Sequence, residues 1–126
     1  MDRTFAEEMY KTHILDLYKN PHNYGTLDQA THEHTNHNPV CGDEITLQLI
    51  IKENHIHTVK FSGNGCAIHM ASASLLTDYI KGKHIEDVLR ISSRDVLEML
   101  KIPISPGRLK CALLAWESIQ NAVKKC

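Results

Sequence analysis

The chain has 126 residues, 42% apolar and 23% charged, with a formal net charge of −1. That composition is typical of a globular domain, with length for one modest core and little room for a second. A near-neutral balance gives no electrostatic footing for nucleic acid or a membrane surface, and no apolar stretch approaches the ~20 residues of a membrane-spanning helix. The opening Met1-Asp2-Arg3-Thr4-Phe5-Ala6-Glu7-Glu8 carries acids early and has no apolar run. It therefore points away from a secretory signal or transit peptide and towards the cytoplasm. Four cysteines in that compartment are expected to be reduced, and reduced thiols are more often metal-binding or catalytic than cross-linked.

In chain order, Phe5, Met9, Ile14, Leu15, Leu17 and Tyr18 recur near helical spacing and predict a helix over 4–19, stopped by Asn20-Pro21. A polar stretch follows, and 31–36 alternates loosely, as an edge strand does. Over 44–52, Ile45, Leu47, Leu49 and Ile51 alternate with Thr46, Gln48 and Ile50, the period of a half-buried strand. Glu53-Asn54 predicts a turn and 56–62 the return strand. The loop Ser62-Gly63-Asn64-Gly65 opens into a helical run of small residues over 66–80, ended by Gly82. Ser92-Ser93-Arg94-Asp95 has the form of a capping box before Val96, Leu97, Met99 and Leu100. Ser105-Pro106 has the preferences of a helix start, so 107–124 continues as a last helix with Leu109, Leu113, Trp116, Ile119 and Val123 inward. Strands in the first half and helices in the second predict an α+β fold.

Three cysteines stand far apart in settings suited to a soft-metal ligand or a reactive thiol. Cys41 lies in Asn38-Pro39-Val40-Cys41-Gly42-Asp43, between a proline that restricts the backbone and a glycine that permits close approach. Cys66 follows the glycine-rich loop at a predicted helix start, where amide groups and the helix dipole favour a thiolate. Cys111 sits beside Lys110 and one turn from Arg108. With Asp43, the set offers three thiolates and one harder carboxylate, a mixture that suits a metal or cluster meant to leave again. The same thiolates are sulfur nucleophiles.

Each residue also has a plainer reading. The three cysteines fit inert core positions, and Asp43 a turn cap. Lys110 fits a solvated charge; its sharper role is to pair with Asp43 or to stabilise thiolate or persulfide at Cys111 or Cys41. His69 is one turn beyond Cys66 and shares its helix face, with a surface or supporting role favoured over ligation. A polar strand face accounts for His32, His34 and His37, and Cys126 is a spare terminal thiol.

The segment around Cys41, Gly65-Cys66-Ala67-Ile68-His69-Met70-Ala71-Ser72-Ala73-Ser74 and Arg108-Leu109-Lys110-Cys111-Ala112 resemble the signature segments of the IscU/NifU/SufU family of iron–sulfur cluster assembly proteins. They occur in the same order across essentially the whole chain, including the opening helix with Tyr18-Lys19-Asn20-Pro21. The resemblance implies a SufE/NifU-like α+β fold, with a small antiparallel sheet of about three strands packed against helices, as one domain over 1–126. It implies a scaffold without turnover of its own. Such a scaffold takes sulfur from a cysteine desulfurase, assembles a [2Fe-2S] cluster on Cys41, Asp43, Cys66 and Cys111, and passes it to apo-proteins. The persulfide acceptor is Cys111 on the scaffold pattern and Cys41 on the SufU pattern. Iron and zinc would share the same ligands, with Lys110 and His69 as supporting neighbours. The assembly is left open between homodimer and trimer.

Three departures qualify the resemblance. Lys110 stands where many scaffolds have histidine and matches the SufU branch, which implies a zinc-dependent sulfurtransferase as the alternative. The short separation of Cys66 from Cys111 matches the scaffold type instead. Ile104-Ser105-Pro106-Gly107-Arg108 replaces the Leu-Pro-Pro-Val-Lys chaperone motif, and His69 stands where serine is usual. A domain with purely structural zinc is a third, weaker reading.

Overall fold

The computed structural model describes residues 3–39 and 42–124, with side chains from residue 10 onward. Helix α1 spans Arg3–Lys19, strands β1, β2 and β3 span His32–Asn38, Asp43–Lys52 and His55–Ser62, and helix α2 spans Ala67–Ile80. Short helices α3 (Ile85–Leu89) and α4 (Ser93–Leu100) lead to a 3₁₀ turn, Pro106–Arg108, and the last helix α5, Leu109–Lys124. The strands form one antiparallel sheet in the order β1-β2-β3. The α+β expectation holds. Among the described residues no helix is long and apolar enough to cross a membrane.

Local chemistry sets the boundaries. Glu53 and Asn54 both have left-handed backbones (φ 52° and 64°), as a tight two-residue hairpin requires. Ser92 and Asp95 form the expected reciprocal cap of α4: the Asp95 amide donates to Ser92 Oγ at 3.2 Å and the Ser92 amide to Asp95 Oδ2 at 2.9 Å. Helix α3 was not foreseen. It is a little over one turn long and is capped by a histidine, His84 Nδ1 accepting from the Glu86 amide, which is not among the usual capping residues. Strand β1 runs two residues beyond the expected end because Asn38 still pairs with Asp43.

The apolar residues of β2 and β3 gather on one face. Ile45, Leu47, Leu49, Ile56, Val59 and Phe61 pack against Met70, Ala73, Leu76 and Ile80 of α2 and against Leu114, Ala115, Ile119, Ala122 and Val123 of α5. Residues 71–74 of α2 are almost wholly buried, which lets α2 and α5 approach closely, and Ser72 Oγ donates to the Ala112 carbonyl at 2.7 Å. Helix α1 is held by Ile14 and Leu17 against Ala71, Leu100 and Ala112, with Leu15 and Tyr18 about half exposed. One expected face is corrected. On α5 the fully buried set includes Ala112, Leu114, Ala115 and Ser118 beside the expected Ile119 and Val123, whereas Leu109, Leu113 and Trp116 are only half buried. The helix lies between the sheet and α2, so two of its faces are covered and a single-stripe reading misplaces the centre.

Candidate metal centre

Three element starts meet at one place. Asp43 opens β2, Cys66 is the N-cap of α2, and Cys111 lies in the first turn of α5. One ligand atom from each lies within 4.8 Å of the others, the one group of three such side chains with this geometry among the described residues. A tetrahedral zinc with sulfur bonds of ~2.3 Å needs ligand atoms about 3.8 Å apart, so small side-chain adjustments close the shell. Cys111 is fully buried, Asp43 almost so, and Cys66 half buried.

Two glycines make the convergence possible. The Gly63 backbone (φ +116°) lies so close to β2 that a Cβ there would meet the Glu44 carbonyl oxygen at 2.3 Å. A Cβ on Gly65 would meet His69 Cδ2 at 2.3 Å and Asp43 Oδ1 at 2.9 Å. The loop is tied to β2 by the Glu44 amide donating to the Asn64 carbonyl at 2.8 Å. Asp43 Oδ1 then accepts from the Cys66 amide at 3.0 Å, and Oδ2 lies 3.9 Å from Cys66 Sγ. The carboxylate therefore satisfies an amide at the helix start while facing the sulfur.

The cation acting on the Cys66 and Cys111 sulfurs is Arg108. Thiolate charge and a hydrogen bond at Cys66, followed by the same two influences from Cys111, hold the exposed Arg108 guanidinium above its ordinary pKa. Lys110 is exposed and lines an open cleft with Asn36, His37, Asn38, Pro39, Leu114 and Glu117. In the sequence Arg108 counted only as part of an electropositive neighbourhood; its place one turn before Cys111 is the signal that could have singled it out. His69 is wholly buried. Burial pushes its pKa below the ordinary value, and the opposing pull of the Asp43 charge and of the Glu44 carbonyl does not reverse this, so the ring is neutral at pH 7. Cys41 and Cys126 lie outside the described residues. Along β1, His32 and His34 are half buried and His37 is exposed, on the alternating faces of one strand.

The chain has relatives among known proteins. Residues 9–126 match the model of the NifU-like N terminal domain, and the chain belongs to that family. It is 35% identical over 136 aligned positions to the zinc-dependent sulfurtransferase SufU of Bacillus subtilis, covering 94% of this chain and 92% of that protein. That alignment is longer than this chain, so the relative holds residues absent here. The chain is 36% identical over 115 positions to the iron-sulfur cluster assembly scaffold protein IscU 1 of Archaeoglobus fulgidus, covering 91% of this chain and 74% of that protein. The fold is shared with the N-terminal part of a NifU-like protein from Brucella abortus, with a TM-score of 0.78 at 20% identity over 94% of each chain.

Proposed function

We propose that this chain is an iron–sulfur cluster assembly scaffold, acting in the cytoplasm as a single domain without turnover of its own. It takes sulfur from a cysteine desulfurase, builds a [2Fe-2S] cluster on Cys41, Asp43, Cys66 and Cys111, and hands the cluster to apo-proteins. The observation that carries this reading is the meeting of Asp43, Cys66 and Cys111 within 4.8 Å, in a family with scaffold relatives. Two thiolates hold a soft metal firmly, and one carboxylate bonds it more weakly and exchangeably. Half-buried Cys66 and exposed Arg108 mark the side from which cargo enters and leaves.

Sulfur arrives by thiol exchange. A thiolate of the scaffold attacks the outer sulfur of the desulfurase persulfide, a new S–S bond forms, the old one breaks, and the desulfurase cysteine departs as thiolate. Cys111 and Cys41 are the acceptors that the family patterns offer. Iron and zinc compete for the same ligands, so zinc in an aerobic preparation occupies the cargo position. A second reading, a zinc-dependent sulfurtransferase on the same residues, is favoured by the Bacillus relative with that name and by Lys110.

The deciding experiment is anaerobic purification with metal and sulfide analysis, followed by reconstitution with ferrous iron, a cysteine desulfurase with cysteine, and a thiol reductant that supplies the two electrons turning persulfide sulfur into sulfide, watched by absorption spectroscopy. The scaffold reading expects a [2Fe-2S] spectrum that transfers to apo-ferredoxin and is largely lost in Cys41→Ser, Cys66→Ser and Cys111→Ser. Bound zinc that survives reconstitution, with persulfide on the chain and no cluster, would overturn it in favour of sulfur transfer. Zinc and cluster both at full occupancy on each chain would mean two separate sites and defeat the shared-site claim.

A further inference from the structure

The polar side chains buried along α2 are served by partners, with one exception. Ser72 donates to the Ala112 carbonyl, Ser74 Oγ accepts from the His22 amide, and Thr77 Oγ1 bonds the Ala73 and Ser74 carbonyls. His69 is wholly buried and neither ring nitrogen has a hydrogen-bond partner. The Glu44 carbonyl faces the ring without forming a bond of acceptable geometry. Leaving a buried polar group unmade costs about 1–3 kcal/mol, and such groups in folded proteins point to a role or a missing ligand. A serine or alanine would have avoided that cost.

The position of the ring supplies the reason. His69 is one turn along α2 from Cys66, on nearly the same side of the helix. It packs beneath Gly65, in contact range of the space where a Cβ would also meet Asp43 Oδ1. The imidazole and the Asp43 carboxylate are therefore neighbours. Its nitrogens lie outside the group of atoms within 4.8 Å formed by Asp43, Cys66 and Cys111.

We propose that His69 is a ligand held in reserve, whose imidazole replaces the Asp43 carboxylate in the metal shell when that carboxylate lets go. The inference rests on the metal-site reading above. The exchange is redox-neutral: one metal–oxygen bond breaks, one metal–nitrogen bond forms from a ring lone pair, and the shell loses one negative charge. Imidazole with thiolates is a firmer shell for zinc and iron than carboxylate with thiolates. His69 thus stops the cargo from escaping to water each time the weakest ligand opens. The carboxylate-bound form is the one that releases, and the imidazole-bound form is the one that waits.

The test uses cadmium-113 alone as probe, with nitrogen-15 labelled histidine, on the full chain and on Asp43→Ala, Asp43→Asn and Asp43→Ala/His69→Asn. Asp43→Asn keeps an oxygen to accept from the Cys66 amide, so the anionic ligand is removed with the loop bond retained. The proposal expects cadmium–nitrogen coupling to one imidazole in both single variants and none in the double variant. It also expects the double variant to bind cadmium about 10–100-fold more weakly than Asp43→Ala, the usual effect of losing a ligand or its support. Absence of imidazole coupling in both single variants, with thiolate-to-cadmium absorption intact, overturns the reserve ligand and leaves the metal site standing. Absence of thiolate-to-cadmium absorption in the unaltered chain overturns the metal site itself.

Discussion

At the scale of single residues, Asp43 has two tasks that can be separated. If Asp43 is the ligand proposed above, it is the weakest bond of the shell, and Asp43→Ala is expected to hold a reconstituted cluster longer and to transfer it more slowly to apo-ferredoxin. As the acceptor for the Cys66 amide it also stabilises the start of α2, so the metal-free variant should lose about 1–2 kcal/mol in denaturant unfolding. An Asp43→Ala protein that sheds its cluster faster than the unaltered chain would show that the carboxylate retains cargo. Arg108 makes the opposite kind of prediction. Its guanidinium interacts with Cys66 and Cys111, so a metal bound there as proposed would have to displace it on loading. Arg108→Ala should take up zinc or cobalt several-fold faster in stopped-flow mixing. Arg108→Lys should fall between, since an ammonium lacks the planar fork that spans two acceptors. Unchanged uptake in both variants would mean that the cation does not guard the site.

At the scale of elements, the loop before α2 is the most demanding piece of chain. Gly65→Ala puts a methyl group at 2.3 Å from His69 and 2.9 Å from Asp43, and overpacking of this kind costs about 1–3 kcal/mol. It should lower the melting temperature and weaken zinc binding together, whereas Gly107→Ala, which meets nothing within 4 Å, should do neither. The elements themselves were legible: alternation over 45–49, the Glu53-Asn54 turn, the Ser92–Asp95 cap and the small-residue run of α2 are local signals, and local signals survive folding. The inward face of α5 was not legible, because a helix covered on two sides has no single stripe to read. At the site, the motifs around Cys66 and Cys111 picked out two of the three side chains that the fold brings together with Asp43. That Arg108 acts on both Cys66 and Cys111 was legible only as an electropositive neighbourhood, since which cation reaches a thiol depends on the helix face it occupies. The buried state of His69 depends on a glycine four residues earlier and on β2, and nothing in its own surroundings in the sequence announces that.

At the scale of the whole molecule, the segment after α1 is fastened to α2 by polar contacts far from the thiols. Asp78 receives hydrogen bonds from His22 Nδ1 at 2.6 Å and from Asn23 at 2.9 Å. Partial burial pushes the Asp78 pKa up, but these bonds and the nearby positive charge outweigh it, so the folded value lies below the ordinary 3.8. A depressed carboxylate contributes its stability in full above the unfolded value and loses it as pH falls through the folded one. Acid unfolding below pH ~3.8 should therefore be shallower in Asp78→Asn. At pH 7 that variant should differ by no more than about 1 kcal/mol, because the pair is largely exposed. An unchanged acid limb would show that the fastening carries no proton linkage.

The starts of β2, α2 and α5 meet at one point, and those segments are remote from one another along the chain. A metal ion bound there as proposed would tie three distant parts of the polypeptide into a closed loop, and would bind the folded form alone. At a free zinc concentration 100 times its dissociation constant, mass action adds about 2.7 kcal/mol to folding. For a chain of this size that raises the melting temperature on the order of 10 °C. Limited proteolysis with and without a chelator would measure this as a difference in half-life, and equal half-lives would refute it. A carrier built in this way grows softer at the moment it hands over its load, so the emptied chain is the form that a protease or a chaperone meets.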